Sequence, residues 1–144
     1  MSPDELRRKL LKVLPDCYSI FEPSSDGSIE VFGEWWADDG DGINVTVLMT
    51  EDGLEVTEDG WDTSRRLHWL EDPISDQTKQ RVTEIARRAG AQTDQVRVFM
   101  PGLTITEIPE AVSRMAWIIL EITRLRPIEG AAESGTAPSV AAAD

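Results

Sequence analysis

Glu51-Asp52-Gly53-Leu54-Glu55-Val56-Thr57-Glu58-Asp59-Gly60-Trp61 is the stretch on which the fold reading turns. Two acidic turns of one type, Glu51-Asp52-Gly53 and Glu58-Asp59-Gly60, bracket a short strand from Leu54 to Thr57. Gly accepts positive φ without steric cost, and Asp can bond its own backbone, so each triplet marks a tight reversal. Upstream, Ile43, Val45, Val47 and Met49 alternate with Asn44, Thr46, Leu48 and Thr50. That period of two marks a strand with one buried face. Short loops join it to its neighbours, so the strands pair antiparallel.

Working outward, Ile29 to Trp36 and Tyr18 to Glu22 read as two earlier strands. Ser2 to Leu14 reads as a helix with a Ser2/Glu5 capping box, Pro3 in its first turn and Pro15 after its end. Downstream, Trp61 to Leu70 reads either as an extended arm or as a short helix. Ser75 is placed to cap a helix that runs to Ala89 and stops at Gly90. Val96 to Met100 and Leu103 to Thr106 read as a hairpin across Pro101-Gly102. Pro109 opens the last helix, to about Arg126. The expected fold is α+β, an antiparallel sheet packed with three helices in the order α-β-β-β-β-α-β-β-α. Residues 1–126 form one domain, and residues 127–144, rich in Ala, Gly, Ser and Glu, read as a disordered tail.

The last helix is apolar on most sides. Val112, Met115, Ala116, Ile119 and Ile122 make one stripe, with Trp117, Ile118 and Leu120 off it. Either the helix is central to the core, or its far side, Trp117, Ile118 and Leu120, meets a second copy in a homodimer.

Charge is the most unusual feature. The 144-residue chain carries a net charge of -13, and its hydrophobic fraction of 40% is ordinary for a single folded core. From Val13 to Ser64 there are 14 acids and no Lys or Arg, whereas residues 65–126 carry 10 basic and 8 acidic residues. This balance argues against direct nucleic-acid or anionic-membrane binding and favours a basic protein partner. No stretch is long enough to span a bilayer, no apolar leader follows Met1, and Cys17 stands alone, so a reducing cytoplasm is the expected setting.

Catalytic and metal-binding patterns are scarce. His68 and Cys17 are single residues of their kinds, too few for a structural zinc site. Asp38-Asp39-Gly40-Asp41-Gly42 fails the calcium-loop spacing, because Ile43 and Thr50 fall where ligands are needed. There is no Gly-x-Ser-x-Gly elbow, no P-loop and no dinucleotide fingerprint. No enzyme activity, cofactor or metal is expected.

Trp35, Trp36, Trp61 and Trp69 lie in or beside the acidic half. In a regular strand Trp35 and Trp36 point to opposite faces, so one either faces out or is covered by a helix or partner. The expected contact residues are Trp35, Trp36, Asp38, Asp39, Asp41, Glu51, Asp52, Glu58, Asp59 and Trp61.

Val45-Thr46-Val47-Leu48, Leu54-Glu55-Val56-Thr57-Glu58-Asp59-Gly60-Trp61, the Arg81 to Ala89 helix and the Met115 to Leu125 helix resemble the bacterial domain-of-unknown-function family 1828. The resemblance covers about residues 43–126. It implies a strand pair, an acidic turn, a helix, a hairpin and a final helix, in a family met near prophages and mobile elements and without an established activity. It carries over no catalytic residue, and the Trp- and acid-rich front end departs from it. The element order is also similar to type III secretion chaperones, which dimerise and hold partner polypeptides; the fourth strand departs from that pattern. Two functions follow as expectations. One is an acidic, non-catalytic protein-binding module, acting as a mobile-element inhibitor that mimics nucleic acid toward a basic partner. The other is a chaperone-like protein that holds a polypeptide in an apolar groove. A surface acidic only for solubility is the third possibility.

Overall fold

In the computed structural model, residues 1–58 and 61–127 are described, with residues 61 and 62 described by their backbone alone. The expected tail from residue 128 onward lies outside them. Helix α1 (Pro3–Val13) starts at the Ser2/Glu5 capping box: Glu5 N–H donates to Ser2 Oγ at 3.2 Å and Ser2 N–H to Glu5 Oε1 at 3.1 Å. Leu6 and Leu10, four residues apart and so on one face, have no accessible surface. Arg7, on another face, donates from Nη2 to Ile20 O at 2.8 Å and from Nε to Phe21 O at 3.0 Å. Strand β1 is accordingly only Ser19–Ile20, shorter than the expected Tyr18 to Glu22, with the outward carbonyls there satisfied by a guanidinium.

Strands β2 (Ile29–Trp36), β3 (Gly42–Thr50) and β4 (Gly53–Thr57) form the meander that the acidic turns require. Helices α2 (Trp61–Leu70) and α3 (Asp76–Arg88) follow, then β5 (Gln92–Asp94), β6 (Arg97–Leu103), a 3-10 turn at Ile105–Glu107 and α4 (Ile108–Thr123). The fold is α+β, with a six-stranded sheet of order β1-β2-β3-β4-β6-β5 in which all pairs are antiparallel. The described residues form four α-helices rather than three. The ambiguous Trp61 to Leu70 is a helix because Leu67 enters the core and buried Glu58 accepts the Thr63 N–H at 3.3 Å near its start.

One expected hairpin is misplaced. Pro101-Gly102 lies inside β6, and the reversal falls between β5 and β6 at Gln95, which takes φ 61°. Leu54 pairs with Leu103 and Val56 with Met100, so β6 spends one extra residue against β4. This is a β-bulge with Gly102 at φ 67° and Pro101, which has no N–H to leave unpaired. Leu103 to Thr106 is therefore the end of β6 and the start of the 3-10 turn, not a separate strand.

Val31, Val45, Val47, Val56, Val98 and Met100 turn one face of the sheet inward. Helix α4 packs across β3, β4 and β6 on that face and also touches α2 and α3. Ile108, Val112, Met115, Ile118 and Ile119 of α4 have no accessible surface, so α4 is the centre of the core. Residues of opposite parity, including Glu30, Thr46, Leu48, Glu55, Thr57 and Phe99, occupy the face turned away from α4.

Candidate functional site

The tryptophan pair is set by an irregular strand. Val31 pairs with Val45, but Trp35 pairs with Ile43, so β2 holds two more residues than β3 over this interval. Glu34 takes the strain at φ 63°. Trp35 then turns inward with Ile43 and meets Tyr18 edge-on, ring centres 5.2 Å apart. Trp36 turns the other way, opposite Gly42, and stands 57% exposed. Phe32 holds it edge-to-face at 5.3 Å. Only Trp36 of the pair is presented for contact.

Among the described residues the expected contact acids are divided between the two ends of β3. Asp38, Asp39 and Asp41 lie in the β2–β3 loop, where Arg66 of α2 donates to Asp39 at 3.1 Å and to Asp41 at 3.2 Å. The Arg66 side chain is 9% exposed, so this guanidinium is built into the structure rather than waving in solvent. Arg124, just after α4, stands 3.7 Å from Asp38. The Asp41 N–H, and after it Arg66, holds the Asp39 carboxyl below the usual carboxylate range. Glu51 and Asp52 occupy the β3–β4 turn at the far end of β3, about 26 Å away at ordinary strand rise.

Glu55 is buried on the outward face and paired with Arg97, whose guanidinium sits 4.5 Å from the Phe99 ring centre. Glu58 is 4% exposed, which corrects its expected place on a contact surface. Buried near the start of α2, it accepts a helix N–H instead of meeting a partner. Asp59 and the Trp61 side chain lie outside the described residues.

The expected dimer set also divides. Ile118 is fully buried in its own core, Leu120 is half-buried, and Trp117 is 43% exposed. Ile118 is therefore a core residue, because α4 is enclosed by the sheet on one side and by α2 and α3 beside it. His68 lies on the outside of α2 with Asp72 at 3.2 Å, and Cys17 is exposed. Among the described residues no group of three or more His, Cys, Asp and Glu is placed to hold a metal ion.

Arg66 and Arg124 are the residues that sequence reasoning missed. They reach acids 27 and 86 positions away, and no local pattern announces such pairs. A second surface feature is a cleft of about 760 Å³ at the Glu51–Asp52 end, walled by Met1, Met49, Leu54, Leu103 and Ile105, with Lys9 and Glu51 at its rim. No helix among the described residues is long and apolar enough to cross a membrane. No family model, no curated protein and no solved structure matches the chain.

Proposed function

We propose that the chain is a non-catalytic protein-binding module anchored by Trp36, with a partner that offers an apolar residue beside a basic one. The observation that carries this reading is a 57% exposed indole fixed by Phe32 on the sheet face turned away from α4. A large, preoriented aromatic is the type of group that dominates contact energies, because little side-chain entropy remains to be lost. The basic preference rests on what surrounds it. Glu34 has no ion pair among the described residues, and three loop aspartates face only two arginines, one of which also contacts Glu121. A continuous strip mimicking nucleic acid is not supported. Its carboxylates are split between opposite ends of β3 and partly matched by Arg66 and Arg124.

The 760 Å³ apolar cleft favours the second reading, a chaperone-like hold on a partner polypeptide. Capture of partners from the source cells with wild type, Trp36→Ala and Leu103→Asp separates the two. On the first reading Trp36→Ala weakens capture of the partner by about thirtyfold, a loss of about 2 kcal/mol, while Leu103→Asp leaves it intact. The opposite ranking supports the cleft. A partner held equally by all three proteins overturns both.

A further inference from the structure

Against the acidic background, three arginines converge at one shallow cleft of about 480 Å³ between the end of α3 and the middle of α4. Its lining is Arg87, Arg88, Ala89, Gly90, Arg114 and Trp117. We propose that this cleft binds an organic phosphate carrying a flat ring, that is, a nucleotide.

The phosphate end follows from the guanidiniums. Arg87 Nη2 donates to both oxygens of Glu84 at 2.7 Å, Arg88 Nε lies 3.4 Å from Glu84, and Arg114 Nη2 donates to Glu110 at 2.7 Å. Two carboxylates thus pair with three guanidiniums without matching their charge, and the three arginine side chains remain 51–70% exposed and open to a ligand. Each arginine has five N–H donors in a planar fork, so several remain for a ligand at each one. Such forks match phosphate oxygens in pairs, and their charge strengthens each hydrogen bond. Arg114 Nη1 stands 3.3 Å from where a Cβ on Gly90 would be, so the absence of a side chain at Gly90 lets this guanidinium lie against the end of α3. The exposed carbonyl end of α3 does not oppose an anion outright, because Ala89 and Gly90 N–H groups already cap Ala86 and Arg87.

The ring end follows from Trp117. It lies one helical turn from Arg114 on the solvent-facing stripe of α4, which also carries Glu110 and Ser113, and it is 43% exposed. An indole wall beside guanidiniums gives a base a surface to stack on. The volume lies within the range of small-ligand sites.

The test follows the indole N–H resonance of Trp117, assigned by comparison with Trp117→Phe, while the full chain is titrated with ATP, pyrophosphate or adenosine. ATP moves this resonance saturably, pyrophosphate competes with ATP, and adenosine alone binds far more weakly. Arg114→Gln and Arg88→Gln each weaken ATP by about tenfold or more while the thermal midpoint and the other indole signals stay in place. Any of four results overturns the proposal. They are no saturable shift of Trp117, unchanged ATP affinity in both variants, adenosine binding as tightly as ATP, or an Asp/Glu-rich peptide displacing ATP at lower concentration.

Discussion

Glu71 shows how one carboxylate can join two helices. It follows α2 directly, and its Oε1 accepts the Ser75 N–H at 2.9 Å and the hydroxyl of Thr78, a side chain only 1% exposed. Ser75 in turn caps α3 by accepting the Thr78 N–H at 3.1 Å. The Thr78 hydroxyl, and after it the Ser75 N–H, holds the Glu71 carboxyl below its ordinary value of 4.5. A carboxylate whose folded value is lowered stabilises the fold above its ordinary value, and that contribution is lost as pH falls through the lower folded value. Glu71→Gln should therefore be less stable than wild type at pH 7, by about 1 kcal/mol from the weakened hydrogen bonds. The gap should close as the solution is acidified below the ordinary carboxylate range. Urea midpoints of both proteins across that range measure it, and a gap that stays constant with pH removes the charge from the explanation. Gly33 makes a purely steric point at the same scale. A Cβ there would stand 2.6 Å from the Trp35 ring, so the indole packs where a side chain would otherwise be.

At the scale of elements, α4 carries the core and α2 is held to its surroundings by charge as well as by packing. Two neighbouring residues of α4 should behave oppositely. Ile118→Ala removes a fully buried side chain and should cost about 2–5 kcal/mol of unfolding free energy. Trp117→Ala, one position away but 43% exposed, should cost clearly less. Denaturant titrations of the two variants, with sedimentation run beside them, separate a core role from an interface role. If Ile118→Ala dissociates a dimer while leaving monomer stability intact, its place in the core is wrong. Where elements are fixed by short-range chemistry, the sequence reading locates them well. The Ser2/Glu5 box, the Ser75 cap and the Glu51-Asp52-Gly53 reversal are each closed within a few residues. It errs where one dipeptide serves two purposes. Pro101-Gly102 has the composition of a turn, yet pairing with β4 keeps the strand running and uses it as a bulge. The site is less legible than the fold. Alternation foretells that Trp35 and Trp36 part, but which faces out depends on the two-residue bulge in β2, and the placement of Arg66 depends on the whole tertiary fold.

For the molecule as a whole, charge acts in two opposed ways that salt can separate. The chain carries -13, and among the described residues most ion pairs are either exposed or span only three or four positions on one helix, as at Glu84–Arg87, Glu110–Arg114 and Glu121–Arg124. Exposed pairs of this type contribute little, typically under about 1 kcal/mol. Self-repulsion among the remaining carboxylates therefore outweighs them, and screening should relieve it. Raising sodium chloride at pH 7 from about 0.05 to 0.5 M, which shortens the screening length from roughly 14 to 4 Å, should raise the thermal midpoint. The same change should weaken capture of a basic partner by the Trp36 surface, since that attraction is screened as well. The two responses have opposite signs although both come from one charge distribution. Arg66 sets the limit of the argument, because its 9% exposed side chain is screened less than the other guanidiniums, although the Asp39 and Asp41 carboxylates it meets are 52% and 53% exposed. If added salt lowers the thermal midpoint, and Arg66→Gln abolishes that fall, then the Asp39–Arg66–Asp41 contact governs stability more strongly than net repulsion does.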